Sequence, residues 1–341
     1  MPSKSISELL PELGQIETIV AHGKNFLSSE VLCRINIDRQ TVPVYAISLG
    51  STAKDAPCIA FAGGIHGIER IGTKVVIAFL ETLIERLQWD IALETILDKV
   101  RIIFLPLLNP AGMSQNTRAN GQGVDLMRNA PVDSDERVVW LAGGHRISAR
   151  LPWYRGDINK GMEIESQSLC NFVSRAMFTA PFSLVLDCHS GFGLHDRIWF
   201  PYAKSRLQPM QHIGEVYRLR ELFFETYPHQ NYLFEPQSKH YLTHGDIWDY
   251  LYDKSLDQAC TFLPLTLEMG SWRWIRKNPL QLFNLGGLYH PIKPHRVKRV
   301  LRGHQVLMDF LVRATLSYKN WLPGGRSPSM DKQARELWYH G

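Results

Sequence analysis

The tightest constraint on this chain is a junction within residues 58–87. The apolar run Cys58–Ala62 ends in Gly63-Gly64-Ile65-His66-Gly67-Ile68-Glu69. A stripe of Val75, Val76, Phe79, Leu80, Leu83 and Leu87 follows at helical spacing. A short apolar run that passes directly into a 3.6-residue period is a strand feeding a helix. Three more apolar runs stop at loop or polar residues: Val100–Leu105, Leu184–Leu186 and Thr261–Leu267. Strands alternating with helices predict an α/β domain, a mixed twisted sheet flanked by helices on both faces. Residues 31–49 read as a hairpin, with strands Val31–Ile37 and Val42–Leu49 around the turn Asp38-Arg39-Gln40. The segment 130–165 is rich in Pro, Gly and charge and reads as a long surface excursion. Beyond Trp321, LPGGRSPSMDK reads as a linker. One domain over 1–320 and a C-terminal tail over 321–341 are therefore expected.

Composition narrows the class. Hydrophobic residues at 45% and charged residues at 21% exclude disorder, collagen and coiled coil as descriptions of the whole chain. No apolar run approaches the ~18 residues of a membrane span. The five cysteines are odd in number, scattered, and form no CxxC pair. The first residues lack the apolar core of a secretory signal. Together these features predict a cytoplasmic protein without a disulfide framework. The net charge of +5 is mild. The densest basic stretch, Lys293–Arg302, shares its helical period with Val297, Val300, Leu301, Leu307 and Leu311. It reads as a solvated helix face rather than a nucleic-acid surface. Neither a nucleic-acid nor a membrane partner is expected, and oligomeric state is not legible.

The chemistry gathers where strands end. His66 and Glu69 flank a glycine turn, and imidazole nitrogen and carboxylate oxygen are both good zinc ligands. HxxE alone is weak, since with thirteen histidines about one match arises by chance. A second copy, His212-Ile213-Gly214-Glu215, sits inside a helical stretch and reads as a solvated face. The strand–turn–helix context separates the first copy from the second. A catalytic zinc site needs a third protein ligand. His189, in Leu184-Val185-Leu186-Asp187-Cys188-His189, stands where another apolar strand ends, and Asp187 is placed to orient it. Glu268 ends the fourth run, where a carboxylate is costly unless paired or used. Arg118 and Arg128 offer planar forks for an oxyanion or a carboxylate, although each alone reads first as a surface ion pair. His244 in the His240–His244 stretch reads as a surface loop residue. No GxSxG elbow and no phosphate-binding GxxxxGK[ST] loop occurs, and Gly191-Phe192-Gly193 is too short for a nucleotide site.

In order, these segments resemble the zinc carboxypeptidase family (carboxypeptidase A-like). That family shows HxxE after a strand, NP-x-G, an Arg, VD-x-NR-N, a strand-end His, a Tyr and a strand-end Glu. The matches here are His66/Glu69, Asn109-Pro110-Ala111-Gly112, Arg118, Val124–Asn129, His189 and Glu268, and the resemblance covers roughly residues 15–290. It implies one zinc ion held by His66, Glu69 and His189, with Glu268 as general base and proton shuttle. It implies that Arg118 polarises the scissile carbonyl and that Arg128 grips the substrate's terminal carboxylate. The family's substrate-closing tyrosine is matched best by Tyr252, with Tyr250 the alternative. One departure is Met127, where the family usually has an Asn; Met cannot donate to a carboxylate.

The resemblance therefore implies a zinc metallopeptidase that removes C-terminal residues from peptides. Met127 keeps open a deacylase of N-acyl amino acids, as in the related succinylglutamate desuccinylase/aspartoacylase branch. A non-catalytic peptide-binding relative is a third option, although all four metal and base positions are filled.

Overall fold

The computed structural model describes residues 5–191, 193–277, 285–322 and 327–339. Phe192 and residues 323–326 of the linker-like stretch lie outside the described residues. Eight strands form one mixed sheet in the order β1-β2-β4-β3-β5-β8-β6-β7. They are β1 (Leu27–Ile37), β2 (Gln40–Gly50), β3 (Cys58–Gly63), β4 (Arg101–Leu105), β5 (Phe182–Ser190), β6 (Asp196–Phe200), β7 (Tyr232–Pro236) and β8 (Thr261–Met269). The centre β4-β3-β5-β8 is parallel. The β1/β2 hairpin joins β4 antiparallel, and β6 runs antiparallel to β8.

Alternation along β5 assigns the two faces. Every residue of β5 is buried, as expected of a strand covered on both sides. Leu186 is the register partner of Phe61, and the Phe61 ring packs edge-on against Phe79 of the Arg70–Arg86 helix. Asp187 therefore points the other way, and it accepts a hydrogen bond from Trp248 of the Ile247–Ser255 helix. The Pro294–Leu316 helix packs on the Arg70–Arg86 side, and the Ile164–Met177 helix packs against the Ile247–Ser255 helix. Helices thus cover both faces, as the alternating pattern predicts.

Several expectations are corrected. Strands β6 and β7 have no counterpart in the apolar pattern, because Asp196, Arg197 and Glu235 interrupt it. Residues 328–339 are not a loose tail. The Pro328–Tyr339 helix docks on the Ile213–Thr226 helix, burying Ala334 and Trp338. The Trp338 indole donates to the Phe234 carbonyl at 2.7 Å and packs edge-on to Phe200. The second HxxE is not a solvated face either: Glu215 is buried, and His212, at the N-cap position, holds its ring against the Tyr252 hydroxyl. The basic face of the Pro294–Leu316 helix is exposed at His295, Lys298, Arg299 and Arg302, as its period predicts.

Candidate metal centre

Backbone packing builds the ligand turn between β3 and the Arg70–Arg86 helix. Gly64 adopts φ +68°, which favours glycine. Gly67 passes so close to the next segment that an added Cβ would lie 2.0 Å from the Gly112 carbonyl carbon. Asn109 locks that neighbour in place. Its side-chain oxygen accepts from Gly112 N at 2.8 Å, capping the Pro110–Gln115 helix, and its amide donates to Ile65 O at 3.1 Å. The Asn109-Pro110-Ala111-Gly112 motif is thus the scaffold of the HxxE turn.

His66, Glu69 and His189 meet in one buried cluster whose ligand atoms all lie within 4.8 Å of one another. His66 Nδ1 is 2.9 Å from Glu69 Oε1, His189 Nδ1 is 3.1 Å from Glu69 Oε2, and the two Nδ1 atoms are 3.1 Å apart. The far nitrogens face carboxylates: His66 Nε2 to Asp125 at 3.2 Å and His189 Nε2 to Asp187 at 2.7 Å. Protons on both Nε2 atoms leave two Nδ1 lone pairs converging with the Glu69 oxygens. A cation satisfies that convergence, and two histidines and a carboxylate with carboxylate-oriented rings are a donor set suited to zinc. Without a cation, burial opposes charging His189, but the Asp187 and Glu69 carboxylates hold its pKa well above the usual histidine range.

Asp125 is the hub beneath the cluster. It accepts from Met127 N, His66, Arg118 Nε at 2.8 Å and Arg128 Nη1 at 3.2 Å. Burial works against its charge, yet Arg118, Arg128 and His66 hold it well below the usual carboxylate range. Arg118 also reaches Glu69 Oε1 at 3.2 Å and keeps 24% of its side-chain surface open. Arg128 is only 4% exposed, and its Nε donates to Ala142 O. Met127 is buried in the hydrophobic core.

Glu268 owes its position to the sheet. It is the register partner of His189 on β5 and of Arg197 on β6, so all three side chains share the Trp248 face. Desolvation raises its pKa to about 7; His189 and Arg118 oppose the shift, while Glu69 and Asp187 reinforce it. The structure thus gathers six of the seven residues selected from the sequence.

Tyr252 is the exception and a correction. It is fully buried, its hydroxyl bonds His212, and its ring packs against Tyr202. Its place on the Ile247–Ser255 helix turns it into the core. Tyr250 packs against the core under Lys254. Tyr241 is the tyrosine beside the cluster, its ring centroid 6.0 Å from the Arg128 guanidinium carbon. Burial raises its pKa, Arg128 lowers it and Glu268 raises it. The only hint in the sequence was that Tyr241 also precedes Glu268. Tyr289 is a second unforeseen neighbour: its carbonyl accepts from Ser190 Oγ at 2.6 Å, and Arg118, Glu69 and Glu268 all act on its phenol.

Residues 38–271 match a family model described as zinc carboxypeptidase. Carboxypeptidase SOL1 of Arabidopsis thaliana is 21% identical over 235 residues, 66% of this chain and 42% of that protein. Carboxypeptidase D of Anas platyrhynchos is 31% identical over 98 residues, 26% of this chain and 7% of that protein. The chain thus spans less than half the length of either relative. Among solved structures, bovine thrombin-activatable fibrinolysis inhibitor, in complex with tick carboxypeptidase inhibitor, superposes with a TM-score of 0.65. It is 16% identical and covers 92% of this chain and 98% of that one. Carboxypeptidase A of Helicoverpa armigera gives a TM-score of 0.61 at 16% identity, covering 89% and 72%. At these identities the likeness is one of fold.

Proposed function

The chain belongs to the zinc carboxypeptidase family, and from that premise we propose that it is a zinc-dependent hydrolase cleaving C-terminal peptide bonds. One observation carries the proposal. The carboxylate of Glu268, with its pKa raised to about 7, stands in register beside a buried His–Glu–His donor set. His66, Glu69 and His189 would hold the zinc. When bound, zinc supplies Lewis acidity that polarises the scissile carbonyl and makes water easier to deprotonate. Glu268 takes the proton of the attacking water at its carboxylate and passes it to the leaving amine. Arg118, with its guanidinium partly open, stabilises the charge that develops on the carbonyl oxygen. Asp125 and Asp187 hold the two imidazoles in orientation. Tyr241, whose ring lies against the Arg128 guanidinium, would line the substrate side.

One observation favours a second reading, deacylation of N-acyl amino acids. Arg128 is nearly buried, with Nη1 on Asp125 and Nε on Ala142, so part of the fork that would clamp a peptide's carboxylate is already engaged. The test is to incubate zinc-loaded protein with free-acid peptides, C-terminally amidated peptides and N-acyl amino acids, with a chelated control, and read products by mass spectrometry. Stepwise loss of C-terminal residues from free acids alone supports the carboxypeptidase. Chelator-sensitive cleavage of acyl amino acids alone supports the second reading. No chelator-sensitive cleavage of any member of the pool overturns both.

A further inference from the structure

The basic stretch of the Pro294–Leu316 helix forms one wall of a cavity of about 480 Å³ at the open ends of β6 and β7. The Trp272–Lys277 helix forms another. Arg273, Lys277, Arg296 and Arg299 face it, and Asp196 is the single carboxylate among the lining residues. Asp196 is committed: one oxygen accepts from Arg273 at 2.9 Å and the other from Gly270 N at 2.9 Å. Arg296 is anchored by the Trp274 and Lys277 carbonyls, which ties the two helices together and fixes the positive wall. Lys277 and Arg299 are exposed, and neither pairs with a carboxylate among the described residues. His304 lines the cavity and is itself buried, with Nδ1 held 2.8 Å from the Tyr232 hydroxyl.

This cavity is separate from the metal centre. Asp196 and Tyr232 are register partners, and Tyr232 contacts His304 on the Pro294–Leu316 side of the sheet. Arg197 and Glu268 point to the opposite side. The volume falls within the ~300–1,000 Å³ range of small-molecule sites. Like charges converging from two helices repel one another, and an anion relieves that repulsion. Arginine forks match phosphate oxygens two at a time, and a lysine adds a point charge. A concave site whose lining includes the buried Tyr232, Trp274 and His304 suits a compact ligand better than a rod-like duplex.

We propose that this cavity binds a phosphate-bearing small molecule of nucleotide size. The inference is independent of the hydrolytic reading. It is tested by calorimetric titration of the full chain with pyrophosphate, ATP and a short DNA duplex at ~0.15 M ionic strength, where weak surface attraction is screened. The expected result is saturable one-to-one binding of pyrophosphate or ATP. The Lys277→Gln/Arg299→Gln double variant should weaken it about tenfold or more, as loss of charge-assisted hydrogen bonds does. Both side chains are exposed, so the double variant should melt at the wild-type temperature. Absence of saturable binding overturns the proposal. So does binding that the double variant leaves unchanged, or duplex DNA binding more tightly than ATP.

Discussion

Replacing Glu268 by Gln tests the proposed base apart from the proposed metal ligands and exposes the free-energy cost of its burial. In ion-free protein the Glu268 pKa is raised from 4.5 to about 7, with desolvation the leading cause. Raising the carboxyl from 4.5 to about 7, at ~1.36 kcal/mol per pH unit, amounts to about 3 kcal/mol. Between pH 4.5 and 7 the folded carboxyl keeps a proton that the unfolded chain releases. Wild-type stability therefore falls as pH rises through this window, and the loss is complete above about pH 7. Gln is neutral throughout. The variant should match the wild type near pH 4 and exceed it by about 3 kcal/mol at pH 8, read by urea unfolding of chelator-treated protein. With zinc loaded the gap should shrink, because a nearby dication favours the carboxylate. The variant should also keep its zinc and lose turnover on any substrate the wild type cleaves. Stability curves that stay parallel from pH 4.5 to 8 would refute the desolvated-base argument, and normal turnover would refute the role.

Gly67→Ala should abolish stoichiometric zinc binding, measured by metal analysis, because its Cβ would overlap the Gly112 and Met113 backbone. Asp187→Ala leaves the His189 ring and the Trp248 indole without their shared acceptor; zinc affinity by competitive chelation should fall about 10–100-fold. Trp338→Ala should destabilise the fold by about 3–5 kcal/mol and expose the C-terminal helix to proteases; a loss under 1 kcal/mol would show that this helix is not docked.

The central strands were legible because burial on both faces forces apolar runs, and their polar ends marked His66, His189 and Glu268. Strands β6 and β7 were not, because Arg197 and Glu235 pair with each other across the sheet and break the pattern. Tyr252 fits the order of a family motif, but order does not say which side of a helix a residue faces, and here that side is the core. The Pro328–Tyr339 helix was hidden because Gly, Pro and Ser precede it and only Ala334 and Trp338 are buried. The role of Arg128 was open in the sequence, which cannot show that Asp125 and Ala142 already engage it.

The pairing of β3 and β5 also bears on how the chain would acquire the proposed metal. His66 and His189 are contributed by two strand ends far apart in sequence, and they meet only when β3 and β5 have paired. Parallel pairing over such separations closes long loops and is slow. Before β3 and β5 pair, the chain offers at most the local His66/Glu69 pair, a weak bidentate ligand. A zinc ion held by this set would therefore not nucleate the fold as it does in small zinc-dependent domains. If bound, it would enter a scaffold in which β3 and β5 are already paired and would act as a late lock on the native state.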